Sequence, residues 1–547
     1  MDNRLPCCAC RNIFILISNA KVKAVKMEGS KVVRQPKFIN YMSYGLGDFL
    51  GAGAFALTAA WLLFFLTTFC GLTAVEAGSI FAIARIVDAI AAPTMGYITD
   101  NFHKTKLGRR FGRRKFFILA AVPLVLVYTA IWVSGFGYWY YLLTYILFEI
   151  VYSMILIPYD TLAAEMSSDY KIRSKFTGAR MFVAQASAVF AAFIPGRLVE
   201  ALGKDDPLTY LYSGIIFTVI FVVVLLLLYR NTWERPFDEI PQEEVIDKRT
   251  FLQNVHKIYA DLFSTLRVKT FRHHLGMYLG GYLSQDVFNA VFTYFVVFAL
   301  MQSAVAASNL LTFMYVMQLF GVWIALTLTI KLNPAPAYRT AISLFIAGIV
   351  GFIVLKFTGT LNSTALLFLM IGICGLGRGG LNYIPWNNYA FIPDVDEALT
   401  GQRREGVFAG VMSLIRKGTQ ALAVFLVGVA LQEAGFVSGQ TSQPDSAVTM
   451  IISILLFGTL FFLAGGLIIS YRYKLTKENH VILLDEIKRL KNGGSKQEAA
   501  PEARKVFEQL TGWEYEKTWG NNTVGYENLL KYKEKQDSHE TKHKVIV

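Results

Sequence analysis

Charge is scarce in this 547-residue chain. Asp, Glu, Lys and Arg make up 17% of it, where soluble domains carry about 25%. Apolar and aromatic residues reach 54%. That excess is too large for one enlarged soluble core, because single cores stop growing beyond roughly 250–300 residues. The same figures exclude disorder, collagen and a small disulfide scaffold. Cysteine is scarce as well. Cys7, Cys8 and Cys10 crowd the start, and Cys70 and Cys374 sit in or beside apolar runs. No pair has metal-ligand spacing backed by histidine, which argues against a structural metal and against a disulfide framework. A phosphate-cradling Gly-x-x-x-x-Gly-Lys loop is also missing, so nothing points to an enzyme, a catalytic residue or a cofactor.

Long apolar runs are what the chain has. Twelve spans of about 20 residues would use roughly 240 residues and give this composition. They are read at about 44–68, 76–99, 114–135, 138–160, 176–200 and 208–229, and then at 274–299, 306–331, 338–358, 363–390, 407–433 and 447–471. The reading is an all-α membrane protein of twelve transmembrane helices in two six-helix bundles. An N-terminal segment 1–37 precedes the bundle 38–229, a polar central loop 230–273 separates it from the bundle 274–472, and a polar tail fills 473–547. The tail holds two amphipathic stretches, 478–492 and 501–511, divided by Gly493-Gly494.

The net charge of +14 would suggest nucleic acid in a soluble protein. Here its placement decides otherwise. Lys104, Lys106, Arg109, Arg110, Arg113, Arg114 and Lys115 fall between spans 2 and 3, and Lys171, Arg173 and Lys175 between spans 4 and 5. Arg403 and Arg404 fall between spans 10 and 11, while the links after spans 1, 3, 7 and 11 hold no Lys or Arg. Basic short loops stay in the cytoplasm, which predicts a multi-pass protein of the plasma membrane, the inner membrane in a bacterium, with both termini cytoplasmic. The charge anchors orientation; nucleic acid is not an expected partner. The opening residues allow two readings, acylated cysteines or an upstream start codon with Met27 as the working start.

An internal repeat is visible. Ile157-Pro158-Tyr159 runs through Asp169 into basic residues, and Ile384-Pro385-Trp386 runs through Asp394 and Asp396 into Arg403-Arg404. Both are the fourth-to-fifth span junction of a six-span half. Two such halves with a cavity at the midplane make a transporter plan. After span 2, Gly96 and Asp100 lead into Gly108-Arg109-Arg110. This resembles the signature loop of the major facilitator superfamily, in which a carboxylate facing guanidiniums latches the halves on the cytoplasmic side. Gly96, Asp100, Arg109 and Arg110 are the expected gate.

Ionisable residues inside spans are costly and face a cavity or a partner. This chain has Asp48, Arg85, Asp88, Glu149, Asp160, Arg180, Asp286, Arg378, Arg416 and Lys417. Asp88, Arg180 and Lys417 lie deepest. For Asp48, Glu149 and Asp160 a helix-end role is as good a reading as a functional one.

Tyr44-Gly45-Leu46-Gly47-Asp48, Ala84-Arg85-Ile86-Val87-Asp88-Ala89, Ile157-Pro158-Tyr159 and Arg403-Arg404-Glu405-Gly406 together resemble the glycoside–pentoside–hexuronide cation symporters, the family of the melibiose permease. The likeness spans about 38–475. It implies a major facilitator fold and uptake of a sugar driven by H⁺, Na⁺ or Li⁺. The family holds its cation with two acids one turn apart on helix 2. The first matches Asp88, but the second position is Ala92. Its sugar-binding acids of helices 1 and 4 fall at Ala52 and Leu156, with Asp48 and Asp160 one turn away, and its helix 5 arginine and helix 11 lysine match Arg180 and Lys417. Half the sodium cage is therefore missing. Sodium wants several oxygens, while one carboxylate serves a proton, so proton coupling at Asp88, with Asp48 as a second cation site, is expected.

Arg180, Lys417 and Arg378 favour an acidic sugar through guanidinium–carboxylate pairing. Asp160, Tyr159 and Trp386 complete the expected substrate wall. Lys106–Phe117, Gly137–Tyr145 and Ser284–Phe295 look like the oligogalacturonide branch of the family. The partners expected are one small sugar, a coupling cation and membrane lipid, with the chain a monomer. A neutral glycoside carried with sodium and a lysolipid symporter, in which Lys417 would meet a phosphate, stay as alternatives.

Overall fold

A backbone in lipid finds no water, so each crossing segment must close its hydrogen bonds within a helix. The computed structural model describes residues 35–167, 170–203, 206–234, 251–358, 364–402, 404–440, 442–526, 528, 529 and 532, and among these residues there is no strand. The expectations placed on Cys7, Cys8, Cys10, Met27, Asp169 and Arg403 lie outside them.

The first half begins with α1 (Phe38–Thr68). Two π-helical turns, Phe49–Gly53 and Thr58–Leu62, interrupt it, the first directly after Asp48. Next comes α2 (Ala74–Asn101), started by a reciprocal cap in which Thr73 Oγ1 accepts from the Glu76 amide and the Glu76 carboxylate accepts from the Thr73 amide. A short α3 (Lys106–Phe111) ends at Gly112, whose φ of +94° suits only glycine. Then follow α4 (Lys115–Ala130), broken just past Pro123, α5 (Tyr138–Met166), α6 (Tyr170–Leu202) and α7 (Leu208–Asn231).

The amphipathic α8 (Phe251–Ser264) leads to the second half. That half contains α9 (Lys269–Tyr294), α10 (Ala304–Leu332), α11 (Pro334–Phe357), α12 (Thr364–Tyr389), the short α13 (Ile392–Thr400), α14 (Glu405–Glu433) and α15 (Asp445–Arg472). Among the described residues nine helices are long and apolar enough to cross a membrane. α2, α4 and α9 stand where the second, third and seventh spans are expected.

Within the first half α2 packs on α5, and α6 on α1; within the second, α12 packs on α10 and α11, and α9 on α15. The halves meet along three seams, α2 with α14, α6 with α10, and α1 with α9. Glycine sets the first seam: a Cβ on Gly428 would stand 2.3 Å from the Ala74 carbonyl oxygen, and one on Gly78 would stand 3.1 Å from Phe425 Cα. The tail is folded. α16 (Lys477–Lys491) and α17 (Pro501–Thr511) bury Leu483, Ile487, Val506, Phe507 and Leu510, and dock on α13 and on the start of α9.

Candidate functional site

Charged side chains enter an apolar bundle only as pairs, because an isolated ion leaves its hydration behind. The middle of this molecule follows that rule at every mid-span cation named below but Arg378. Asp88, on α2, is fully buried. Its Oδ2 lies 2.5 Å from the Lys417 ammonium of α14, across the seam between the halves, and its Oδ1 accepts from the Ser153 hydroxyl of α5. One turn away Arg85 reaches Glu149 of α5 at 3.1 Å, both buried. In the second half the Arg416 guanidinium grips both oxygens of Asp286, at 2.6 and 2.7 Å, while the Gln420 amide donates to Asp286 at 3.3 Å.

Nearer the end that carries the basic loops, Arg180 of α6 lies between two acids, Asp160 at 2.6 Å and Asp48 at 3.2 Å. Its guanidinium rests over the Tyr159 ring, whose hydroxyl donates to the Tyr44 carbonyl at 2.8 Å. Asp160 is half exposed. The structure thus gathers Asp48, Asp160, Tyr159 and Arg180 into one cluster and Asp88 and Lys417 into another. Arg378 stands apart on α12. Buried, it donates to Asn289 at 3.0 Å and to Gln318 at 3.4 Å, and rings of Phe288, Tyr315 and Phe345 lie within 6 Å of it. Trp386 is partly exposed and donates to the Tyr282 hydroxyl at 2.9 Å.

The opposite end of the bundle is shut. Thr67 and Tyr294 share a 2.6 Å hydrogen bond, the Val75 amide donates to Gln432, and Ser438 donates to the Leu72 carbonyl. Ser308 and Asn309 bond the Ala192 carbonyl and Arg197 across the seam between α6 and α10. Between the halves lies a cavity of about 20 Å³, lined by Phe55, Phe81, Arg85, Tyr145, Asp286 and Gln420 among others. That is room for about one ordered water. At the basic end Tyr259 of α8 reaches across to the Ala89 carbonyl, one residue beyond Asp88.

Of the expected gate, Arg109 and Arg110 are exposed; Arg109 donates to the His103 carbonyl and Arg110 lies over the Phe111 ring. A Cβ on Gly96 would meet, among the described residues, only Ile157 at 3.9 Å. The side chain of Asp100 lies outside the described ones. The tighter contacts come from Arg113 and Arg114, each 2.6 Å from Glu165 at the end of α5. Glu234 caps the start of α4, accepting from the amides of Arg113, Arg114 and Lys115. Sequence reasoning missed Glu165 and Glu234, and it missed Ser153, Asn289 and Gln318 as ligands. An acid ending an apolar run opposite a basic loop was the available signal for Glu165; a serine inside a span carries none.

Comparison with known proteins follows the same lines. The MFS/sugar transport protein family matches residues 43–477. The glucuronide carrier protein homolog of Escherichia coli is 25% identical over 468 residues, covering 82% of this chain and 94% of its own. The isoprimeverose transporter of Lactiplantibacillus pentosus is 25% identical over 425 residues, covering 75% and 83%. Among solved structures, that of a D-xylose-proton symporter overlays with a TM-score of 0.55 at 14% identity, covering 80% of this chain and 97% of its own, a likeness of fold alone. The chain belongs to the MFS/sugar transport protein family, as a sugar symporter of the glycoside–pentoside–hexuronide type and not an enzyme.

Proposed function

We propose that this chain takes up an acidic sugar or glycoside together with protons bound at Asp88. The observation that carries the reading is the ion pair between Asp88 and Lys417, one partner from each half. A proton on Asp88 removes the charge that holds Lys417, so protonation loosens the seam between α2 and α14. A bound sugar supplies the contacts that close the halves again. Binding of either ligand then biases the same two-state element, which is what coupling requires. The surroundings of Asp88 do not make a sodium cage: a hydroxyl and an ammonium contact it, whereas sodium prefers several oxygen ligands.

An acidic substrate is supported by the second half. There three cations, Arg378, Arg416 and Lys417, outnumber one carboxylate, Asp286, among the described mid-span groups. It agrees with the name of the glucuronide carrier homolog. The isoprimeverose transporter keeps a neutral glycoside as the second reading. Uptake of radiolabelled digalacturonate, a probe for the oligogalacturonide branch, under imposed pH or sodium gradients tests the proposal beside Asp88→Asn. Accumulation driven by the pH gradient and lost in the variant is expected; sodium-driven, pH-indifferent uptake would contradict it.

A further inference from the structure

The two halves carry opposite charge at their shared face. In the middle of the first half four carboxylates, Asp48, Asp88, Glu149 and Asp160, stand against two guanidiniums, Arg85 and Arg180. In the second half one carboxylate, Asp286, stands against Arg378, Arg416 and Lys417. One pair, Asp88 with Lys417, joins the halves. What is left over is the Arg85–Glu149 pair and an acid–arginine–acid cluster around Arg180 in the first half, and in the second the Arg416–Asp286 pair with Arg378 in excess.

Of these five cations, Arg378 is the one with no carboxylate within ion-pair distance among the described residues. Arg85, Arg180, Arg416 and Lys417 each lie 2.5–3.2 Å from an acid of this chain. Arg378 is no less buried, at 3% exposure. Its hydrogen bonds go to two neutral amide oxygens, and aromatic faces take part of the remaining surface. Ring faces and amides return only part of the hydration that a buried guanidinium gives up. A planar fork held without an anion is the group that pairs a carboxylate in two-point fashion.

We infer that Arg378, supported by the Arg416–Asp286 pair, is the anchor for the anionic group of the substrate, a carboxylate of an acidic sugar or the sulfonate of a sulfonated one. The inference rests on the acidic-sugar reading and goes beyond it. It places the anion in the second half and assigns Arg180 and Lys417, already satisfied by Asp48, Asp160 and Asp88, to cation coupling and to the seam. Asn289 and Asp286 lie one turn apart on α9, so the same helix face presents an amide partner of Arg378 and the carboxylate that Arg416 holds. The anchor also has a mechanical connection. The Gln318 side chain whose oxygen accepts from Arg378 donates its own N–H to Gln185 of α6 at 2.7 Å, across the seam between α6 and α10. An anion taking the Arg378 fork displaces the long 3.4 Å contact to Gln318 and frees that amide to hold the opposite half.

The test is binding of digalacturonate and of neutral digalactose to the purified full-length protein, for the wild type, Arg378→Gln and Arg378→Lys. Loss of one member of a buried charge pair should weaken digalacturonate binding at least about thirtyfold in Arg378→Gln. Digalactose binding should be unchanged, and Arg378→Lys, which keeps the charge and loses the fork, should fall between. Arg378→Lys also keeps the test open if Arg378→Gln does not fold. Wild-type binding of digalacturonate that survives both substitutions overturns the inference and leaves the acidic-sugar reading standing. A wild type that binds digalactose more tightly than digalacturonate, or binds neither probe, overturns both.

Discussion

Lys417 places its ammonium against a carboxylate that has no access to water, and each charge is tolerable only because of the other. Removing one partner of a buried pair costs about 3–5 kcal/mol, while replacing both can be nearly neutral. Lys417→Ala is therefore expected to lower the melting temperature of the detergent-solubilised protein, and Asp88→Asn combined with Lys417→Ala to recover most of the loss. A double variant no more stable than Lys417→Ala would mean that the two charges do not depend on each other. The roles differ even where the energies match: Asp88→Asn should abolish pH-driven accumulation yet leave exchange of substrate across the membrane, because exchange needs no net proton movement. How much of this was legible in the sequence follows the chemistry. A carboxylate or a lysine inside an apolar span is conspicuous, so Asp88, Arg180, Arg378 and Lys417 could be picked out one at a time. Which acid meets which base could not, because the pairs join helices 20 to more than 300 positions apart.

The seam between α2 and α14 works at the level of helices. Thr73 and Glu76 start α2 at the shut end, and within its first turns Ala74 and Gly78 lie against Gly428 and Phe425. With backbones that close, no side chain fits between them. Gly428→Val is expected to wedge the shut end open, since even a methyl group there would stand 2.3 Å from the Ala74 carbonyl oxygen. The checkable outcome is loss of uptake with protein still present in the membrane, together with new labelling by impermeant thiol reagents of a cysteine introduced at Val75. Unaltered labelling would show that α14 moves aside without opening the seam. The sequence marks spans by hydropathy and loops by charge, and helices stand where the spans are read. It marks the crossing of two helices only weakly, because a glycine in a span reads the same whether it faces lipid or a neighbour. The same limit explains the gate. Its glycine, aspartate and arginines were read from a local pattern, while Glu165 and Glu234, which hold Arg113 and Arg114, come from parts of the chain about 50 and 120 residues away.

At the scale of the whole molecule, the tail makes the two halves unequal. The last turn of a helix leaves carbonyls without partners, and those of α13 find theirs in the tail. Ala398 and Leu399 accept from the backbone amides of Trp519 and Gly520, and Leu399 and Thr400 accept from the side chains of Asn522 and Asn528. Lys491 pairs with Glu397 at 2.7 Å and His480 meets Asp394 at 2.8 Å. Tyr526 and Arg404 both engage Asp261 of α8. The tail therefore ties α8, α13 and the start of α14 into one body, and α14 carries Arg416 and Lys417. The amphipathic stretches 478–492 and 501–511 foretold its two helices, and nothing in their pattern told what they cover. Removing residues after Lys474 should strip α13 of its partners, speed tryptic cleavage beside Arg404, and lower both the melting temperature and the uptake rate. The tail's own fold adds a pH dependence. Burial raises the Glu486 carboxyl, but hydrogen bonds from Arg489 and Tyr515 more than reverse this and hold it below its ordinary value of 4.5. Burial and the adjoining Glu486 push the Tyr515 hydroxyl up to about 12, so it remains a donor throughout. A carboxylate depressed on folding stabilises the folded form above its unfolded pKa, and that contribution is lost as the pH falls through the folded value. Acidification below about 4.5 should loosen the tail in the intact protein, and Glu486→Gln should remove that part of the dependence. Equal acid sensitivity of the variant and the wild type, followed by proteolysis at Arg504, would place the titrating group elsewhere.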